Sequence, residues 1–268
     1  MSGSTFLVAV MLQSIALSAI MAGAWIVQQR TGNSGWVDTV WTFGLGLVGV
    51  IAALVPFGSI EVGSRQALVA GLVAIWSLRL GTHIANRSYG ISDDPRYAAL
   101  IRGWGPDART QMFWLLQKQA LATIPLATSV LLAAHNPAPE LRLQDWLGAT
   151  VLLWAIAGGA LADHQLRCFR ADQTNRANVC DIGFWHWSRH PNYFFEWLGW
   201  VSYPLIAIDI AGDYLLGWIA LAGPICMYWL LRHVSGVPPL EEHMVRSRGD
   251  AYRLYQARTS VFFPMPPR

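Results

Sequence analysis

The chain has 268 residues, 54% hydrophobic and 13% charged, with a formal net charge of +3. Soluble domains carry about a quarter of their residues as charges, so a soluble domain is excluded, and the positive mean hydropathy agrees. The three cysteines form no CxxC pair, so neither a disulfide framework nor a zinc site is expected.

Apolar runs long enough to cross a bilayer, about 20 helical residues each, recur along the chain. About seven are expected: 5–27, 36–56, 66–85, 112–134, 146–162, 192–208 and 214–231. The first has no basic residue before it and is longer than the apolar part of a cleaved signal, so it is read as a retained helix. The fold class is all-α: a polytopic membrane protein with cytoplasmic loops and a folded C-terminal tail. No linker or repeat interrupts it, so one domain is expected over 1–268.

Fifteen of the 19 Lys and Arg residues fall after spans one, three, five and seven. Cytoplasmic flanks carry such an excess, so the amino terminus is expected outside and the carboxyl terminus inside, in a bacterial inner membrane. All but one of the 19 are arginine, whose planar fork suits phosphate or carboxylate. A GC-rich genome acting under the same orientation rule explains that bias equally.

At the start of span two, Asp38 interrupts an apolar run in Trp36-Val-Asp-Thr-Val-Trp41. Its carboxyl group could bond a ligand carbonyl, or serve only as a cap or helix-pairing group. After span three, Asn86 to Tyr97 mixes arginines, acids, Tyr89 and Tyr97 where loops commonly carry function.

Asp163, Arg167 and Arg170 recur at i, i+4 and i+7, one helical face at the end of span five. A ligand-binding stripe and an ordinary solvated pair are both open there.

The entry to span six reads Ser188-Arg-His-Pro-Asn-Tyr-Phe-Phe-Glu-Trp197. Pro191 suits a first helical position, which sets Arg189 and His190 at a positive helix end where anions bind. Asn192 and Glu196 share a face, and a carboxylate one turn inside a membrane helix needs a partner or a ligand. His186 and His190 belong to no ligand set, so no metal is expected.

Beyond span seven, Val234-Ser-Gly-Val-Pro-Pro-Leu-Glu241 should stop the span and restart a helix with acids in its first turn. The absence of a Walker loop or strand-bound GxGxxG leaves any nucleotide to membrane-helix ends and loops.

Four strings together, Asp163…Arg167…Arg170, Ser188 to Trp197, Val234 to Glu241 and Tyr255-Gln-Ala-Arg-Thr-Ser-Val-Phe-Phe-Pro264, resemble the bacterial branch of the steroid 5-alpha-reductase family. That resemblance implies a seven-helix enzyme that takes NADPH from the cytoplasm and reduces a carbon–carbon double bond conjugated to a ketone. Its substrate would be lipophilic and enter from the bilayer, so lipids and no nucleic acid are its expected partners.

Carried over by position, Asp163 and Asn192 would meet the cofactor's sugar or amide groups, and Arg167, Arg170, Arg189 and Arg232 its phosphates. His190, Tyr193, Glu196, Glu241 and Tyr255 would complete the pocket. The family's Gln-Glu pair in span two and its Tyr after span three are replaced here by Val37-Asp38 and Ile84, so Asp38 and Tyr89 are the expected catalytic pair, with Tyr97 the other candidate.

The Arg-His-Pro-x-Tyr string also resembles S-adenosylmethionine-dependent membrane methyltransferases of the isoprenylcysteine carboxyl type. A helix bundle acting as a non-enzymatic scaffold is the third reading.

Overall fold

A computed structural model describes residues 2–56, 62–89, 93–176 and 178–268. Every regular element among them is helical. The α-helices are α1 Gly3–Thr31, α2 Gly35–Leu54, α3 Ser64–Tyr89, α4 Pro95–Trp104, α5 Ala108–Ala134, α6 Leu143–Ala171, α7 Phe184–Trp187, α8 Pro191–Ala207, α9 Ala222–Trp229, α10 Val237–Arg248 and α11 Asp250–Arg258. Short 3-10 turns precede α5 and α9, and a π-turn, Leu230–Val234, follows α9.

Among the described residues six helical stretches are long and apolar enough to cross a membrane: Gly3–Thr31, Gly35–Leu54, Ser64–Tyr89, Arg96–Ala134, Leu143–Ala171 and Leu215–Arg248. The stretch expected as span six is α8, whose 17 residues stand at the short end of spanning length. This is a polytopic helical membrane protein.

The chain forms two compact units, Met1–Ala149 with Tyr203–Gly223, and Thr150–Ser202 with Pro224–Arg268.

In the first unit α1 packs on α2 and α5, and α2 on α3. The buried residues of α1, Ala9, Gln13, Leu17, Met21, Ala24 and Gln28, repeat every three or four positions and make one seam. Leu7, Val8, Met11, Leu12 and Ile15 are exposed, as a lipid-facing surface requires. Small residues let α2 approach α3, because apolar side chains gain little from association in lipid and close packing must supply the attraction. A methyl at Gly46 would lie 2.1 Å from the Ser77 hydroxyl oxygen.

One end of this unit is fastened by buried charge. Arg65 donates to the Asp145 carboxylate, with Nη2 at 2.9 Å, and to the carbonyls of Asn136, Ala138 and Glu140. Both side chains of the ion pair are almost completely buried.

The second unit contains most of α6 and α8, together with α10 and α11. The expected acids in the first turn of α10 are absent, because the helix begins at Val237 and takes Pro238 and Pro239 into that turn. Prolines cost nothing there, since the first N–H groups of a helix have no intrahelical acceptor. Glu241 consequently falls in the second turn and faces the segment before α8.

Candidate functional site

The second unit assembles its site on the C-terminal turns of α6. That helix runs unbroken to Ala171 and carries Asp163, Arg167 and Arg170 on one face, the two arginines exposed. Gly183 and the short α7 dock against α6: Gln165 accepts the Phe184 N–H at 3.0 Å, and the Trp185 indole donates to the Ala162 carbonyl at 2.9 Å. Gly183 has φ 55°, a left-handed backbone conformation that favours glycine, and the Gln165 side-chain amide lies where a Cβ would stand.

Pro191 opens α8 as its spacing predicts. Asn192 then donates its amide to Asp163 Oδ1 at 3.3 Å, joining the first turn of α8 to the α6 stripe. Tyr193 stacks on the His190 ring, with centroids 5.4 Å apart and planes at 9°. Glu196 accepts the Trp200 indole N–H at 2.9 Å, which supplies the partner its depth demands. Trp197, Tyr228, Phe262 and Phe263 form a mutually contacting aromatic group beside it.

Arg189, His190, Glu241 and Tyr255, four of the residues expected to touch a cofactor, also bond within the protein. Arg189 donates from Nε to Glu241 Oε1 at 2.6 Å, from Nη2 to Oε2 at 3.3 Å, and from Nη1 to the Gln256 and Thr259 carbonyls. Glu241 also receives Gln256 Nε2 at 2.9 Å and the Tyr252 hydroxyl at 3.4 Å. His190 Nε2 lies 3.1 Å from Glu241 Oε1, and the Tyr255 hydroxyl donates to the Trp185 carbonyl. These side chains hold the site's frame.

The electrostatics follow. The Glu241 carboxylate is surrounded by donors from Arg189, His190, Tyr252 and Gln256. Burial holds the His190 imidazole below the ordinary histidine value and outweighs its bond to Glu241. His190 donates from Nε2 to Glu241, because an ionised carboxylate can only accept. Its Nδ1 is buried and has no hydrogen-bond partner among the described residues.

Arg232 sits half-buried in the π-turn, a helix irregularity frequent at functional sites. Its charge acts on His190, and it makes no ion pair with a described residue. A half-buried guanidinium without a carboxylate is a seat for an anion.

A separate cluster occupies the first unit, where α2 begins and α3 ends. Asp38 accepts an ion pair from Arg96, which also binds Asp94 at 2.8 Å, while Arg87 stands 3.9 Å from both acids. Burial would raise the Asp94 carboxyl, but the hydrogen bonds and charge of Arg96 hold it lower than usual. The Tyr97 hydroxyl donates to Asp38 Oδ1 at 3.1 Å and accepts from Gln119 Nε2 at 3.0 Å.

Tyr89 is 86% exposed, whereas Tyr97 is 5% exposed and bonded to Asp38. Residues 90–92, part of the expected polar segment, lie outside the described residues.

Gln119 and Tyr252 escaped sequence reasoning, and Gln256 and Phe262 entered it only as part of the string Tyr255 to Pro264. Their roles rest on contacts across 11 to 74 positions. Among the described residues no group of His, Cys, Asp and Glu could hold a metal.

A family model described as a protein of unknown function (DUF1295) matches residues 24–259. The chain belongs to the DUF1295 family. Uncharacterized protein C594.04c of Schizosaccharomyces pombe is 26% identical to this DUF1295 chain over 280 residues, covering 93% of it and 78% of the yeast protein. No solved structure matches. The matched region spans both clusters, from α2 through α11.

Proposed function

We propose that this DUF1295 protein is a membrane reductase that uses NADPH to saturate a carbon–carbon double bond conjugated to a ketone in a lipophilic substrate. The observation that carries the reading is Arg232, a half-buried cation without a carboxylate partner, beside the opening turn of α8 where Asn192 meets Asp163. A dinucleotide asks for that combination: arginines for its phosphates, and a carboxylate and an amide for its hydroxyl and carboxamide groups. The unpartnered Nδ1 of His190 adds a buried polar atom in the same region.

Arg232, Arg167 and Arg170 are assigned to the phosphates, Asp163 and Asn192 to sugar or amide groups, and Tyr193 and Glu196 to the wall. Arg189, His190, Glu241 and Tyr255 are assigned to holding these in place. Bound NADPH would supply the hydride for the β carbon and leave as NADP⁺.

Asp38 and Tyr97 are assigned the ketone. A carbonyl oxygen that takes over the hydrogen of the Tyr97 hydroxyl becomes polarised, which draws electron density from the β carbon, while a proton from water completes the α carbon. Tyr97 takes this part rather than Tyr89 because its hydroxyl is held between Asp38 and Gln119. The basic helix ends are assigned to the cytoplasm, with the amino terminus outside.

The aromatic group of Trp197, Tyr228, Phe262 and Phe263 favours a second reading, since ring faces also attract a sulfonium cation. That protein would be an S-adenosylmethionine-dependent methyltransferase.

The purified protein in detergent, heated with NADPH, NADH or S-adenosylmethionine, separates the readings, because only a ligand bound by the native state raises the unfolding midpoint. Stabilisation by NADPH is expected. Stabilisation by S-adenosylmethionine alone would overturn the reductase in favour of the methyltransferase.

A further inference from the structure

The segment after α11 returns across the start of the α8 region and bonds to it repeatedly. The Arg189 N–H donates to the Ser260 carbonyl at 2.8 Å, and the Met265 N–H to the Trp187 carbonyl at 3.0 Å. Between them the Ser188 hydroxyl donates to the Phe262 carbonyl at 2.8 Å and accepts the His190 N–H at 3.2 Å. Ser188 is fully buried, so water cannot replace either bond. Arg189 Nη1 reaches the Thr259 carbonyl at 2.6 Å, and the Arg268 N–H closes the segment onto the Arg258 carbonyl.

The anchor of this segment is Phe262, 1% exposed. Its ring lies 5.2 Å from that of Tyr228, 6.2 Å from Trp197 and 6.4 Å from Phe194, so it is wedged among rings from α8 and α9. Met265 and Arg268 beyond it are tied only by main-chain bonds.

The three residues before α8 therefore take their conformation from a segment some 70 positions further along. Residues 188–190 have no helical or sheet ladder of their own, and three bonds to residues 259–262, with a fourth from Met265 to Trp187, replace one.

We propose that residues 259–268 form a built-in strap that sets the conformation of Ser188 to His190 for ligand recognition, with Ser188 and Phe262 as its positioning residues. The proposal rests on the cofactor site assigned above. Neither residue touches the ligand: Ser188 acts through the His190 backbone, and Phe262 carries the carbonyl that orients Ser188.

The test compares full-length wild type with Ser188→Ala, Phe262→Ala and Phe262→Leu in detergent, by three measurements. These are the pH titration of the His190 ring by NMR, assigned through His190→Gln, the dissociation constants for NADPH and S-adenosylmethionine, and the unfolding midpoint without ligand.

In Ser188→Ala and Phe262→Ala, His190 should titrate closer to an ordinary histidine. Affinity for the bound nucleotide should fall about tenfold or more, the size expected when a buried hydrogen-bonded group loses its partner. Phe262→Leu, which keeps an apolar anchor, should recover most of both. Should Ser188→Ala not fold, the Phe262 pair decides.

An unchanged His190 titration, or an affinity loss that Phe262→Leu shares in full, would overturn the strap. If wild type binds neither nucleotide, the cofactor assignment fails, and the His190 titration alone decides whether the segment sets this geometry.

Discussion

Arg189 and Glu241, 52 positions apart, meet in a two-pronged pair in which Nε and Nη2 each face one carboxylate oxygen, at 2.6 and 3.3 Å. Both side chains are largely buried, and the third guanidinium nitrogen is taken by two carbonyls. An arginine at a helix amino end that would ordinarily invite phosphate is thereby turned into a bracket between α8 and α10.

Breaking that bracket should be costly. Arg189→Ala leaves a buried carboxylate with fewer donors, and losses of this kind run to about 3–5 kcal/mol. Arg189→Lys should recover only part, because an ammonium has no planar fork. Unfolding midpoints of the two variants against wild type check the ordering Ala < Lys < wild type.

Arg232 carries the anion assignment, and its replacement should separate binding from folding. Arg232→Gln should weaken NADPH binding by roughly ten- to a hundredfold, the size of one charge-assisted hydrogen bond of about 1.5–3 kcal/mol. The midpoint without ligand should scarcely move. Equal affinity in titrations of wild type and variant would refute the assignment.

Tyr97→Phe and Asp38→Asn should lower turnover of an enone substrate by about 10²–10⁴, as loss of a positioned proton donor does. NADPH affinity should stay at the wild-type value, while Tyr89→Phe should leave turnover near normal. Steady-state rates and cofactor titration of the three variants make the comparison.

At the other pole of the first unit, Asp145→Ala should be among the most destabilising single changes. It strands Arg65 in a site with almost no solvent contact, and the expected loss is about 3–5 kcal/mol. The double variant Arg65→Met with Asp145→Leu should be distinctly more stable than Asp145→Ala, a difference that parallel thermal melts detect.

The helices were legible because the bilayer imposes a one-dimensional rule. A segment must satisfy its own backbone and present apolar side chains over a fixed length, and both demands are met locally. The α6 stripe was legible for the same reason: Asp163, Arg167 and Arg170 depend only on the helical period.

Whether a side chain on such a face looks towards a ligand or towards its own protein depends on contacts made far along the chain. Arg189 and Arg232 read alike as cations near helix ends, and the contrast between them is that Glu241 comes back to one and no acid among the described residues comes to the other. Tyr89 and Tyr97 likewise differ only in that Asp38 and Gln119 converge on the second. Composition and periodicity thus determined the helical membrane class and the faces on which its charges lie. Tertiary structure alone decided which of those charges are neutralised internally, because pairing is set by distance in space, and residues 52 to 70 positions apart carry no mark in the sequence of having met.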